Sequence, residues 1–274
     1  MFGSVVVGVG TAGFVRIRDM LAPLPSSAAE KLSVKGFISR RTLEEQQGVK
    51  QITVEDALRR DDIKVAFVCT ENAAHEENIR TFLEAGKHVC VEYPMAMTHK
   101  TAVDLWDLAQ EKGVVLHEEH IELLTADFKQ LKKDIAGKKL KEGSLHFTGG
   151  PLKPGFGFPA FSGIARLTWL VDLFGELSVT MTTQLMTKEQ KYVLTKHNLK
   201  NINFCFDSCT MTQLPPAARE PVGLFMQDLV LFSQKLLGQV PRDQLHAERH
   251  RVLHCLELAD RIQQLNLTCT TSSH

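Results

Sequence analysis

From Ser4 to about Leu116 the chain repeats one pattern: a short run of β-branched and other apolar residues, then a stretch with apolar positions three and four apart. The apolar runs are SVVVG, VKGFIS, VAFVCT, HVCVEY and VVLH. The helical stretches reach to about Met20, then cover VEDALRR, HEENIRTFLEAG and KTAVDLWDLAQEKG. Apolar runs without alternation suit parallel strands covered on both faces and joined by right-handed crossovers. The pattern therefore predicts an α/β arrangement, a doubly wound parallel sheet. Two of the helical stretches run into glycine before the next strand, at Gly86 and Gly113, where a left-handed stop is expected.

Past residue 120 the pattern changes. A long helix is expected from Ile121 to about Ile135, followed by a strand GSLHFT, a Gly/Pro-rich loop GGPLKPGFGFPAFSG and a helix IARLTWLVDLF. Strand-like LSVTMTTQLM and KNINFCFDSCTM come next, then two closing helices around LFMQDLVLFSQKLLG and DQLHAERHRVLHCLELADRIQQL. Runs of alternating Thr, Val and Phe with no helix between them fit an antiparallel sheet with one covered face. The expected division is a Rossmann-type doubly wound domain over residues 1–120 and an α+β domain over residues 121–274, built on a large, mostly antiparallel sheet. Only the change of pattern marks the boundary, since neither a low-complexity linker nor an internal repeat is present.

Composition narrows the partners more than the fold. The 274 residues carry 32 basic and 32 acidic side chains, so no net field recruits polyanions and nucleic acid is not an expected partner. The opening MFGSVVVGVG shows no basic n-region and no cleavage pattern after it, and no apolar run approaches the roughly 20 residues of a membrane span. A cytoplasmic monomer is expected. The six cysteines (Cys69, Cys90, Cys205, Cys209, Cys255 and Cys269) are scattered, and reduced thiols are the expectation. Cys205 and Cys209, four apart in an expected strand, would stand roughly 13 Å apart at about 3.3 Å per residue, too far to bridge. His254, Cys255 and Cys269 form a set of three without ligand spacing, so no metal is expected.

The most specific local signal is Gly8-Val9-Gly10-Thr11-Ala12-Gly13, which directly follows one strand run and opens a helix. Gly8 allows the tight turn, Gly10 lets backbone approach a pyrophosphate, and Gly13 lets the helix pack close to the strand while its first N–H groups face the phosphates. At the end of the second strand, where an NAD site carries a carboxylate for the ribose 2′-hydroxyl, the chain reads Ser39-Arg40-Arg41. A hydroxyl and two guanidinium forks suit a 2′-phosphate, which favours NADPH with NADH tolerated. The alternative is a solvated pair of loop arginines.

A Gly-x-Gly-x-x-Gly start, a Glu-x-Pro at Glu92-Tyr93-Pro94 after a strand run, and an α+β second half together resemble the glucose-fructose oxidoreductase and inositol dehydrogenase family. Within it, the stretches VVVGVGTAG, GFISRR, GKHVCVEYPM, VLHEEHIELL and FGFPAFSGIARLTWLVDLFGEL are similar to the biliverdin-reducing branch. That resemblance adds Glu92 to a cofactor-binding set of Gly8, Gly10, Thr11, Ala12, Gly13, Ser39, Arg40 and Arg41. Sugar and inositol dehydrogenases of this family use the lysine of Glu-Lys-Pro with an Asp and a His on the helix entering the second domain. Here Tyr93 replaces the lysine, and Phe161-Ser162-Gly163-Ile164-Ala165-Arg166 has neither partner. Alcohol oxidation lacks its base, so a sugar is not the expected substrate.

The resemblance implies instead hydride transfer from the nicotinamide to the central methine carbon of biliverdin, giving bilirubin as in heme breakdown. In that picture Arg166 binds a propionate or polarises the acceptor, because a group with a pKa above about 12 is a poor acid. Tyr93 donates a hydrogen bond to the substrate or to the nicotinamide carboxamide, and Glu119 and Glu122 relay a proton. Each has a plainer reading. Arg166 could pair with Asp172 on a solvated edge; Glu119 and Glu122 could favour a positive helix start; Tyr93, extended by Pro94, could pack; and His120 could be a satisfied surface or core residue. Phe156, Phe158 and Phe161 form a wall for a planar ligand or pack under their loop. The segment from about Met186 to Gly223 is shorter than in these relatives by about twenty residues, enough for a strand or hairpin. Two other functions stay open: a different dehydrogenase of the same fold, and an NADPH-sensing interaction protein without turnover.

Overall fold

The strand runs of the first half become five parallel strands, β1 (Phe2–Val7), β2 (Leu32–Ile38), β3 (Ile63–Val68), β4 (His88–Val91) and β5 (Leu116–Glu118), ordered β2-β1-β3-β4-β5. The structure is a computed structural model and describes residues 1–147, 163–179, 199–206, 209–211 and 221–271. Both faces of the sheet are covered, which is why the runs are continuously apolar: Val5, Val6, Val65, Ala66 and Phe67 are all buried. Helices α1 (Thr11–Leu21), α2 (Val54–Arg59), α3 (His75–Glu84) and α4 (His99–Lys112) lie between successive strands. Gly86 and Gly113 take φ of 69° and 66°, the left-handed stops expected after α3 and α4. The strand order reverses at β1, so the carboxyl ends of β1, β2 and β3 meet where a doubly wound sheet binds its ligand.

The chain divides into two compact units. The first is Met1–Ile121 together with Pro221–His250; the second is Glu122–Glu220 together with Arg251–His274. The first unit is therefore discontinuous in sequence. It takes back α7 (Leu224–Leu236), which the change of pattern at residue 120 assigns to the second half, because Asp228, Leu229, Phe232 and Ser233 form one buried helical face. Leu229 and Phe232 complete a cluster with Val6, Ile17, Met20, Phe37, Val65 and Phe67.

In the second unit the helix expected from Ile121 is interrupted. A 3-10 turn covers Ile121–Leu124, and Thr125 then caps α5 (Ala126–Ile135), its Oγ1 accepting from Phe128 N–H at 3.3 Å. A threonine that can cap a helix start competes with helix continuation, and here the cap wins. Phe128, Leu131 and Ile135 pack with Trp169 of α6 (Gly163–Phe174). Strands β6 (Leu140–Phe147), β7 (Leu199–Phe206) and β8 (Thr210–Met211) form an antiparallel sheet in that order. KNINFCFDSCTM is thus two strands and not one: Cys205 lies opposite Thr210 in the β7–β8 pairing. Neither Cys205 nor Cys209 forms a disulfide. Phe156, Phe158, Phe161, the last seven residues of LSVTMTTQLM, and most of the segment from Met186 to Gly223 lie outside the described residues. Among the described residues no helix is long and apolar enough to cross a membrane. The final helix, α8, spans Arg242–Thr271.

Candidate active site

The three glycines of the first turn are required for different reasons. Gly8 has φ of +90°, and a Cβ there would stand 2.7 Å from the Cys69 carbonyl oxygen. A Cβ on Gly13 would stand 1.9 Å from the Gly8 carbonyl oxygen, so the helix could not approach the strand. A Cβ on Gly10 would meet no protein atom within 4 Å. Packing does not demand glycine at that position; an open position of this kind is what close approach of a pyrophosphate would need. α1 begins at Thr11 with Gly10 as its N-cap and no side-chain cap, so the N–H groups of its first turn, from Thr11, Ala12 and Gly13, are available to an anion.

β2 ends at Ile38, whose carbonyl accepts from Gly8 N–H at 2.9 Å, and Ser39-Arg40-Arg41 leaves the sheet beside this turn. Ser39 Oγ accepts from Arg41 N–H at 3.1 Å. Arg40 forms a two-point pair with Glu71, which lies in the loop after β3, Nη1 to Oε1 at 2.8 Å and Nη2 to Oε2 at 3.1 Å. Both side chains are exposed, so Arg40 can exchange this partner for another anion at low cost. The residues fit a dinucleotide carrying a 2′-phosphate.

Behind the turn lies a buried charge network that sequence reading did not assemble. Arg16 sits on the inner face of α1 with Gly13, Ile17 and Met20 and is 0% exposed. Its Nη1 pairs with Asp228 Oδ2 of α7 at 2.7 Å and its Nη2 with Glu92 Oε1 at 3.3 Å. Asp228 Oδ1 accepts from His117 Nε2 at 2.9 Å, and His117 Nδ1 faces Lys235 Nζ at 2.6 Å and Glu248 Oε1 at 3.2 Å. Lys235 Nζ also donates to both Glu248 oxygens at 2.5 Å. Burial works to neutralise Asp228, but Arg16 and then His117 outweigh it and hold the carboxyl well below the usual range. Glu248 is held low in the same way by His117 and Lys235. Burial would also discharge Arg16, yet the neighbouring carboxylates, Asp228 first, raise it further.

Glu92, expected with the cofactor, is thus gripped from the inside by Arg16, with 19% of its side chain exposed. The signal available in sequence was the helical spacing of Gly13, Ile17 and Met20, which puts position 16 inward. Cys90, His117 and Asp228 bring three ligand atoms within 4.8 Å of one another. Asp228 and His117 are already committed to Arg16 and Lys235, and a dication beside two buried cations is disfavoured. Of the other set, His254 accepts from Leu177 N–H at 2.9 Å and faces Glu257 at 3.1 Å, while Cys255 accepts from Thr168 Oγ1 at 3.7 Å. The Cys269 side chain lies outside the described residues.

The candidate catalytic residues fall in both units. In the first, Tyr93 is half-buried next to a cis Tyr93–Pro94 peptide, and its ring stacks on His120, centroids 5.4 Å apart and planes 13° from parallel. Glu118 Oε1 accepts from His120 Nε2 at 2.6 Å, and Glu118 Oε2 accepts from Met95 N–H at 2.6 Å. Glu119 is buried and accepts from Ile121 N–H at 2.6 Å, so it precedes the 3-10 turn and does not share a helix face with Glu122. In the second unit Glu122 is half-buried within that turn. Arg166 of α6 is buried, not on a solvated edge, with Cζ 5.8 Å from the Trp169 ring centroid. Asp172 is engaged by Lys132 at 2.6 Å and Arg251 at 3.3 Å.

Two family patterns match the chain. One, described as an oxidoreductase family with an NAD-binding Rossmann fold, covers residues 2–120; the other, described as biliverdin reductase, catalytic, covers residues 128–200. Among solved structures, a biliverdin reductase from Synechocystis sp. in complex with biliverdin and NADP+ superposes with a TM-score of 0.71 at 20% identity, over 96% of this chain and 98% of that one. An oxidoreductase from Bacillus subtilis superposes with a TM-score of 0.76 at 14% identity, over 98% of this chain and 96% of that one. These two share the fold. Biliverdin reductase A of Homo sapiens is 48% identical over 285 residues, 96% of this chain and 95% of the relative. Biliverdin reductase A of Mus musculus is 48% identical over 286 residues, 96% of both chains. Both alignments are longer than the 274 residues of this chain, so each relative carries residues that this one lacks. Nearly half of all positions agree along nearly the whole of both chains, and the protein belongs to the biliverdin reductase A family.

Proposed function

We propose that this protein is an NAD(P)H-dependent oxidoreductase that reduces biliverdin to bilirubin, with NADPH preferred over NADH. The full-length likeness to biliverdin reductase A carries the reading. When bound, the nicotinamide supplies the hydride that reaches the central methine carbon of the tetrapyrrole. The chain's own residues bind, orient and handle one proton. The turn Gly8–Gly13 and the start of α1 hold the pyrophosphate, and Ser39, Arg40 and Arg41 meet the 2′-phosphate. Arg16 fixes the Glu92 carboxylate beside the Tyr93 segment.

Tyr93 Oη donates a hydrogen bond to the substrate or to the carboxamide. Arg166, always charged, pairs with a propionate of the acceptor. Glu119 and Glu122 relay the proton that ends on a pyrrole nitrogen. Most of the acceleration then comes from holding a flat acceptor in register with the hydride donor. Replacement of the family's lysine by Tyr93 fits this chemistry, because a conjugated acceptor needs no base to remove a hydroxyl proton.

The test is to mix purified protein with biliverdin and NADPH and to follow loss of the biliverdin band and growth of the bilirubin band, with NADH in parallel. Turnover faster with NADPH is expected. NADPH binding with no turnover on any acceptor would replace this reading with a dinucleotide sensor. Turnover of diols or sugars with hardly any of tetrapyrroles would replace it with another dehydrogenase. The reading takes the enzyme as a cytoplasmic monomer, which sedimentation of the purified chain checks for the oligomeric state.

A further inference from the structure

We propose that Glu118 and His120 are positioning residues for Tyr93, a bracket that sets the plane of its ring and so the place of its hydroxyl. The proposal rests on the reading that Tyr93 works in the active site. It starts from the three-residue segment Tyr93-Pro94-Met95 that follows β4. His75 Nδ1 stands 2.8 Å from the Pro94 carbonyl oxygen, and the Glu118 carboxylate takes the Met95 N–H at 2.6 Å. The segment is thereby tied at its middle and its far end. Tyr93, at its near end, is met by the face of His120.

The same carboxylate controls both contacts. Glu118, buried at the end of β5, spends Oε2 on Met95 and Oε1 on His120 Nε2, which must carry the proton because a carboxylate only accepts. That bond selects the tautomer of His120 and fixes its ring plane, as a carboxylate does for other oriented imidazoles. A stacked pair only 13° from parallel then transmits the fixed plane to Tyr93. One short strand end, through two charge-assisted hydrogen bonds and one ring contact, closes a loop around the phenol.

The choice of histidine needs an explanation that packing does not supply. His120 is 5% exposed, and its Nδ1 has no hydrogen-bond partner among the described residues. A buried nitrogen in that state carries a desolvation cost that Phe or Leu would avoid. Phe would supply a ring for stacking but nothing for Glu118 to hold. Histidine combines a flat face with an N–H that anchors it, in a ring smaller than the indole that offers the same pair, and Tyr93 is what the anchored face touches.

A double-mutant cycle in the reductase assay tests this. His120→Leu is expected to lower kcat by about 10-fold, a small misplacement being enough for that, with NADPH affinity unchanged. His120→Phe should recover part of the loss, and Glu118→Gln, which keeps an acceptor for Met95, should fall between. In a Tyr93→Phe background the same His120 substitutions should cost nothing further, because the hydroxyl they position is gone. Thermal unfolding identifies any variant that fails to fold, and His120→Phe and Glu118→Gln then carry the cycle without His120→Leu. A loss in Tyr93→Phe that adds fully to that of the His120 variant overturns the bracket while leaving Tyr93 in the site. Full activity of Tyr93→Phe removes Tyr93 from the mechanism and the bracket with it.

Discussion

Replacing Asp228 by alanine takes away a carboxylate that two buried groups share. Among the described residues Arg16 would keep Glu92 at 3.3 Å, the Phe225 carbonyl at 3.4 Å and the faces of the Phe225 and Phe67 rings, none as strong as the 2.7 Å contact it loses, and no surface on which to hydrate. His117 Nε2 would lose its partner as well. Removing one member of a buried pair costs about 3–5 kcal/mol, because the remaining charge stays desolvated. For a chain of this length each kcal/mol lowers the midpoint by about 2–4 °C, so a fall of about 10 °C is expected in the first unit.

The chain has two tryptophans, and Trp106 lies in the first unit while Trp169 lies in the second. Urea unfolding of single-tryptophan variants therefore reports each unit, and the loss should appear with Trp106. The control is the pair Arg16→Met with Asp228→Leu, which removes both charges and fills the space with apolar atoms. It should recover part of the stability lost by Asp228→Ala, the remainder being the His117 Nε2 that still lacks its partner. A loss below about 1 kcal/mol in the single variant, or a pair less stable than the single, would refute the reasoning.

Three further outcomes are expected. At His117, burial and Lys235 favour the neutral form, but Asp228 and Glu248 prevail and raise the pKa above its ordinary value, so this group's stabilisation is full below about pH 6.5 and is lost as pH rises through the native pKa. Asp228 and Glu248 are depressed, so their stabilisation holds above about pH 4.5 and fades as pH falls; urea midpoints should peak between these limits, and His117→Gln should remove the alkaline decline while also weakening the acid one, because His117 helps to hold both carboxylates low. Gly10→Ala should leave thermal stability unchanged but weaken NADPH binding at least about 10-fold, whereas Gly13→Ala should lower both, as calorimetry and fluorescence titration will show. Arg40→Ala should weaken NADPH about 10-fold with little effect on NADH, and Glu71→Gln should tighten NADPH by about 3-fold; equal effects on both cofactors would remove Arg40 from the 2′-phosphate.

What could be read from sequence alone was what local pattern controls. Continuous apolar runs announced all five parallel strands, and Gly8, Gly10 and Gly13 announced the turn, because strand burial and glycine conformation leave their marks within a few residues. Thr125 was missed as a helix start because its neighbours on both sides have helical spacing, and only the cap separates them. The β7–β8 pairing was missed because the strands are too close in sequence for a turn to stand out. The network was illegible for another reason. The spacing of Gly13, Ile17 and Met20 turns Arg16 inward, but nothing local names its partner, a carboxylate on a helix more than two hundred positions away. Tyr93 stands out by its place in Glu-x-Pro, whereas Glu118 and His120 sit in a histidine–glutamate cluster in which spacing alone does not separate the residue that faces Tyr93 from its neighbours.

The return of α7 to the first unit also sets a timetable for the ribosome. Arg16 is made early, and Asp228 follows more than two hundred positions later. At about 5–20 residues per second, the nascent Rossmann strands wait about 10–40 s before the counterion of their buried cation leaves the ribosome. Until then the inner face of α1 has a charge to hide and no acid on α7 with which to hide it. A stop codon anywhere within the second unit's first segment would release a chain with all five parallel strands and no Asp228. Such a chain is a natural client for quality control, even though its dinucleotide turn is complete.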